Sequence, residues 1–267
     1  MRYGVIGLGN MASAILKGMV ESGNFKNDEL TGYDMSGEKT LAAQTAFGLL
    51  PAADARAVAA SSDVLLLAVK PQNLPQVLPD IAPVLRKQTV VATIAAGKDL
   101  AFYASFLPEG TPVVRLMPNI NAKVKAATTA LCPNAFVSDA QREAVRAMFS
   151  SVGSVVALEE KDFPVFGAVA GSSVAFVYMY IAALIDAEKK AGLSDEAARK
   201  IAADSVLGSA KLVLGCEEDP RDLARQVCSP GGTTIEGVTL LREHGFEENV
   251  IDAIAAILRK DEILRKG

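Results

Sequence analysis

One histidine serves the whole 267-residue sequence, and that scarcity already limits the chemistry. His244 lies in the charged stretch REHGF, where an imidazole reads as a surface group rather than a general acid, so histidine is assigned no role. Cysteine is nearly as rare. Cys132, Cys216 and Cys228 are odd in number and far apart, without the close pairs that a zinc site needs. They are expected to be reduced and non-ligating, and no metal is expected. A basic stripe is also lacking: the 27 Lys and Arg are interspersed among 31 Asp and Glu, for a net charge of -4, which excludes broad contact with a nucleic-acid backbone. The opening MRYGVIGLG shows no charged leader, long apolar run or cleavage site, so a cytoplasmic location is expected. Neither internal repeats nor low-complexity segments occur. One uncharged run, 167–185 (GAVAGSSVAFVYMYIAALI), approaches the length of a membrane span. It contains Gly, Ser and Tyr pairs and enters the charged DAEKK without anchoring residues at its start, so a buried interface helix is expected and no membrane.

What is present is a globular balance, with 50% hydrophobic and 22% charged residues in a chain long enough for two domains. Over 1–160, short β-branched runs alternate with helix-like stretches, the pattern of a parallel sheet covered by crossover helices. Strands are predicted at Tyr3 to Ile6, Leu30 to Tyr33, Val64 to Ala68, Thr89 to Ile94, Val113 to Leu116, Thr128 to Cys132 and Val155 to Ala157. Helices are predicted at Ala12 to Ser22, Lys39 to Phe47 and, after the cap candidates Ser138 and Asp139, Ala140 to Ser150. From Lys161 the β-branched runs stop and apolar residues recur three and four apart, as in Val250, Ile254, Ile257 and Leu258. The predicted fold is therefore a doubly wound α/β domain of the Rossmann type over 1–160, followed by an all-helical domain over 161–267. The first long helix of that second part, Ser172 to Lys190, is apolar on nearly every face and must be surrounded by protein; a second copy of the chain is the commonest supplier.

Residues 7–12, GLGNMA, follow the first strand and open the first helix, matching the G-x-G-x-x-A form of the dinucleotide fingerprint. Gly7 permits the tight turn, Gly9 lets backbone approach a pyrophosphate, Ala12 lets helix meet strand, and the helix N-terminus at Leu8, Asn10 and Met11 favours the phosphates. Asp34 ends the second strand, where a carboxylate can accept hydrogen bonds from ribose hydroxyls and favour NADH. Ser36 and Lys39 follow at once and can meet an extra phosphate, so the choice between NADH and NADPH stays open; Lys39 reads equally well as a solvated helix residue.

AVKPQ at 68–72 and IAAG at 94–97 end two further strands, on the side where ligands sit in such sheets. With MPN at 117–119, GSSVAF at 171–176 and SPGGTTIEG at 229–237, downstream of the D-P-x-x-L segment Asp219, Pro220 and Leu223, the chain resembles the pyrroline-5-carboxylate reductase family along essentially its whole length. The residues of SPGGTTI also read on their own as an anion cradle, in which the glycines expose N–H groups beside three hydroxyls, or alternatively as a helix-capping turn. The resemblance implies reduction of L-1-pyrroline-5-carboxylate to L-proline with NADPH or NADH. It implies that Ser229 and the backbone of Gly231, Gly232 and Thr233 hold the substrate carboxylate, while the Thr234 hydroxyl meets the ring nitrogen as the catalytic group. The cofactor set is Gly7, Leu8, Gly9, Asn10, Met11, Asp34, Ser36, Ala68, Val69, Lys70, Pro71, Ala95 and Asn119. Lys70 also reads as a solvated strand-end residue, and the Asn119 amide as orienting the nicotinamide or pocket backbone, or as a loop cap. A homodimer with interlocked C-terminal helices, often built into a decamer, is implied as the working unit.

The chain departs from the family at four positions. Val174 and Phe176 stand where the family usually shows Pro and Tyr, and Ile120 and Asn121 where many members show Thr and Pro and a subgroup carries Asn. Two other readings follow: a related reductase of another cyclic imine or small oxo acid, and a non-catalytic dinucleotide-binding paralogue, against which the intact SPGGTTI argues.

Overall fold

A computed structural model describes residues 1–266, with side chains to Ile263. Two compact units follow one another, Met1–Gly171 and Ser172–Gly267. The first holds one eight-stranded sheet. Its strands are β1 (Tyr3–Ile6), β2 (Leu30–Tyr33), β3 (Leu50–Pro51), β4 (Val64–Leu67), β5 (Val90–Thr93), β6 (Val113–Met117), β7 (Ala127–Pro133) and β8 (Gly153–Ala157). They lie in the order β3-β2-β1-β4-β5-β6-β7-β8, and every pairing is parallel except β6 with β7.

Both faces of the central strands β1, β4 and β5 are covered, which is why they read as continuous apolar runs. Along β4 the side chains alternate: Val64 and Leu66 join one core, Leu65 and Leu67 the other. On the first face lie α1 (Asn10–Glu21), with Ala12, Ile15, Leu16 and Met19, and α6 (Asp139–Ser150), with Val145, Met148 and Phe149. On the second lie α3 (Ala55–Ser61), α4 (Leu74–Ile81) and α5 (Leu100–Ala104), while α2 (Gly37–Phe47) buries only Ala43 in the first core, with Phe47 partly buried against it. Each fully buried Val, Leu, Ile, Met or Phe contributes roughly 1.5–3 kcal/mol before chain entropy is subtracted. Ser138 caps α6 as expected, accepting from the Gln141 N–H while the Gln141 side chain accepts from the Ser138 N–H.

The structure shifts several predicted bounds. Strand β3 has no counterpart among the predicted strands, because its two residues are exposed and one is proline. Helix α1 begins at Asn10, two residues before the predicted start, since the glycine turn feeds the helix directly. The helix predicted from Ser172 begins at Val174, after a short helix α7 (Phe163–Phe166) and a π-helical turn, Gly167–Ser172.

The second unit is helical throughout its described residues: α8 (Val174–Lys190), α9 (Asp195–Gly215), α10 (Pro220–Gln226), α11 (Thr233–Glu243) and α12 (Phe246–Lys266). Its caps are conventional, with Ser194 accepting from the Ala197 N–H and Asp219 from the Arg221 N–H just before Pro220. Its interior is not. Among the described residues beyond Gly171, only Ala198 and Ala202 are buried hydrophobics, whereas α8 exposes Val177, Tyr178, Met179 and Tyr180. The stretch Glu160–Lys190 is long and apolar enough to cross a membrane by length and composition, with a mean hydropathy of 1.9 in its most apolar window.

Candidate active site

The strand order reverses at β1, whose neighbours are β2 and β4, and ligands in open α/β sheets collect beyond the strand ends at such a point. There the backbone is tightly held. Gly7 N–H donates to Tyr33 O at 2.9 Å and Ala68 N–H to Ile6 O at 2.8 Å, binding the turn after β1 to both neighbouring strands. Gly7 has φ +92°, and a Cβ there would stand 2.8 Å from the backbone C and O of Ala68, so only glycine fits. Gly9 is the reverse case: a Cβ would meet nothing within 4 Å, because the space in front of it is open.

That space is a cavity of about 670 Å³ lined by Gly9, Asn10, Met11 and Ala12 of the turn and α1, Ala68 to Pro71 after β4, and Ile94 to Ala96 after β5. This volume falls within the roughly 300–1,000 Å³ usual for small-molecule sites. Gly9 is the N-cap of α1 and has no side chain to offer, so the first-turn N–H groups lack intrahelical partners and face the cavity with the positive end of the helix dipole. Lys39, Lys70 and Lys123 also line it, and no Asp or Glu does. An open approach to glycine backbone, unpaired N–H groups and three ammonium groups fit an extended anionic ligand such as a dinucleotide.

Beneath the β5 edge of the cavity, Thr93 and Tyr103 are buried and share a 2.5 Å hydroxyl contact, and the Ala95 N–H reaches Thr93 Oγ1 at 3.4 Å. Burial pushes the Tyr103 phenol up to about 12.

Of the residues predicted to hold a cofactor, Gly9, Asn10, Met11, Ala68, Val69, Lys70, Pro71 and Ala95 converge on the cavity, while Gly7, Leu8, Asp34, Ser36 and Asn119 are not among its lining residues. Asp34 is already engaged by its own chain. Its Oδ2 accepts from the Leu8 N–H at 2.8 Å and its Oδ1 from the Ser36 N–H at 2.9 Å, with Lys39 Nζ 3.7 Å from Oδ1. Asn119 is buried, and its Nδ2 donates to Ala170 O in the π-helical turn at 2.9 Å, while its Oδ1 accepts from the Thr128 N–H at 3.4 Å. It caps no helix with its side chain, although it precedes the 3-10 turn Ile120–Val124. Ile94 and Ala96 belong to the IAAG strand end read as a ligand side, whereas Ala14, Pro118, Ile120 and Lys123 were not foreseen as wall residues.

The second group lies in the helical unit. Ser229, Pro230, Gly231 and Gly232 form a tight turn: the Gly232 N–H donates to Ser229 O at 3.0 Å, Pro230 holds the second position, and Gly231 takes φ +71° in the third, as a type II turn requires. A Cβ on Gly232 would lie 2.5 Å from Ser229 Oγ, so the hydroxyl occupies the space that the glycine leaves. Gly232 then caps α11 without a side-chain bond, leaving the first-turn N–H groups at Thr233 and Thr234 beside two hydroxyls, and both threonines are exposed. The sole histidine is exposed at the other end of α11, its Nδ1 2.9 Å from Leu240 O.

Comparison with known proteins agrees with both halves. A family model described as "NADP oxidoreductase coenzyme F420-dependent" matches residues 2–97, and one described as "Pyrroline-5-carboxylate reductase dimerisation" matches 160–264. Pyrroline-5-carboxylate reductase of Escherichia coli K12 is 41% identical over 267 residues, covering 100% of this chain and 99% of that protein. The Aquifex aeolicus enzyme of the same name is 36% identical over 254 residues, covering 95% of this chain and 94% of its own. Among solved structures, a pyrroline-5-carboxylate reductase from Coxiella burnetii superposes with a TM-score of 0.92 at 29% identity, covering 98% of each chain. Pyrroline carboxylate reductase of Plasmodium falciparum with NADP bound gives 0.87 at 28% identity, covering 99% of this chain and 98% of that one. This chain belongs to the pyrroline-5-carboxylate reductase family.

Proposed function

We propose that the chain reduces L-1-pyrroline-5-carboxylate to L-proline, the closing step of proline biosynthesis, with NADPH or NADH. The observation that carries this is the carboxylate-free, lysine-lined cavity at the sheet's reversal point, in a chain similar to named reductases from end to end. Bound cofactor supplies the hydride. The protein's task is positioning. Gly9, Asn10 and Met11 present N–H groups to the pyrophosphate, Gly7 and Leu8 set the turn, and Ala68, Val69, Lys70, Pro71 and Ala95 form the wall. Asp34 acts through that turn, since both its oxygens already accept from backbone, and the adenosine end, where the two cofactors differ, is assigned to Lys39 on the cavity wall and to its neighbour Ser36.

In the helical unit, Ser229 with the N–H groups of Gly231, Gly232 and Thr233 holds the substrate carboxylate, and the Thr234 hydroxyl hydrogen-bonds the ring nitrogen and helps to hold its proton. No imidazole is required, because a protonated imine is already electrophilic. The unit of function is a homodimer built through the dimerisation segment, which takes the apolar stretch Glu160–Lys190 as an interface and not as a span. Sedimentation distinguishes the dimer from the decamer that the resemblance implies. Three free cysteines fit a cytoplasmic location.

The test is NAD(P)H oxidation by the purified protein with racemic pyrroline-5-carboxylate, NADH and NADPH side by side. Proline should form. Cofactor binding without any oxidation of either dinucleotide would sink the proposal. One observation keeps a related cyclic imine in view: Val174 is the first residue of α8, where the family's proline would have no N–H to leave unpaired, and Phe176 lacks a hydroxyl two residues on. Substrate profiling decides between them.

A further inference from the structure

Lys123 belongs to none of the recognised motifs, yet it lines the cavity. The local geometry explains how. Residues 120–124 form a 3-10 turn, in which positions three apart eclipse each other, so Ile120 and Lys123 share one face and both line the cavity. Ala122 points the other way and is buried in the core that also holds Ala12, Ile15 and Leu16 of α1. The turn is held at both ends. Asn119 before it is fastened to Ala170 O, and Lys125 after it, a non-glycine residue at φ 56°, pairs with Glu21 at the end of α1. Lys125 is thus neutralised within the fold. Lys123 has no carboxylate partner among the described residues, and none lines the cavity.

The three cavity lysines divide by topology. Lys39 follows β2, on one side of β1, and Lys123 follows β6, on the other side of β1, on a turn packed against the helix whose N-terminus faces the cavity. We propose that Lys123 is a cofactor-binding residue that pairs with the pyrophosphate bridge common to NADH and NADPH. Lys39, by contrast, serves the adenosine end. The inference rests on reading the cavity as a dinucleotide site. Its anchored turn means that little order has to be gained on binding, so a single exposed cation can contribute.

The experiment is an equilibrium titration of the full-length protein with NADPH and with NADH, followed by nicotinamide fluorescence, for wild type, Lys123→Met and Lys123→Arg. Lys123→Met should raise Kd for both dinucleotides by the same factor, roughly two- to fivefold at low salt, as expected for one exposed ion pair. The difference should shrink as salt is added, and Arg should restore most of the affinity. The KM for the imine at saturating cofactor should not move. An unchanged Kd in Lys123→Met overturns the proposal. So does weakening confined to NADPH, which would assign Lys123 to the extra phosphate, or a raised imine KM with normal cofactor affinity, which would assign it to the substrate carboxylate. Wild-type protein that binds neither dinucleotide would overturn the reading of the cavity itself, an outcome distinct from failure of Lys123 alone.

Discussion

Val58 on α3 and Met179 on α8 are both apolar side chains near the middle of a helix, yet Val58 is fully buried and Met179 is 71% exposed in the single chain. The first sits over a sheet that its own unit supplies. The second belongs to a unit whose described residues bury only two alanines, although its sequence is as rich in Leu, Val, Ile and Tyr as a core requires. Apolar content therefore does not say whose core a helix joins. In this family the answer is another copy of the segment 160–264.

The sharpest way to break that contrast is a charge in the helical unit's apolar surface. Met179→Glu should abolish self-association and lower the melting temperature, costing several kcal/mol by burying an unpaired charge at the subunit contact; a sedimentation profile and melting temperature unchanged from wild type would show that α8 is not covered. In the helical unit, Thr234→Ala should lower kcat by about a hundredfold while leaving cofactor affinity near wild type, as loss of a group that assists proton placement does. In the sheet unit, Gly7→Ala forces a Cβ onto Ala68 at positive φ and should cost about 2 kcal/mol of stability, with dinucleotide binding lost in titration. The smallest effect concerns pH. Because the Tyr103 phenol is raised from 10.0 to about 12, its contribution to stability is whole below pH 10 and fades as pH rises toward 12. Melting curves across that window should slope less in Tyr103→Phe, which also forfeits about 1 kcal/mol of hydrogen bonding with Thr93.

The centre of the sheet was readable because its strands are buried on both faces, so runs such as VLLL at 64–67 need no periodicity to declare themselves. Leu50–Pro51 was not, since two exposed residues carry no pattern. The glycine turn was readable from local sequence, and the structure shows why each glycine stands where it does. Asp34 shows the limit of a motif: its position was foreseen, but its oxygens are spent on the Leu8 and Ser36 N–H groups, which only coordinates reveal. Lys123 was invisible for another reason. Its face is set by a 3-10 repeat of three residues, and its proximity to Met11 and Ala14 arises from a fold that joins positions more than a hundred residues apart.

The order in which the two units occur along the chain also sets how the protein is made. A ribosome releases the sheet unit first, and the buried residues of both its cores lie before Gly171, so they can close while the rest is still being synthesised. The helical unit, which matches the family's dimerisation model, emerges after it with its apolar faces bare. Maturation is then first order for one half of the molecule and second order for the other, so at low expression the slow species is a chain with a finished nucleotide domain and an exposed helical tail, the form most open to aggregation and to chaperone capture.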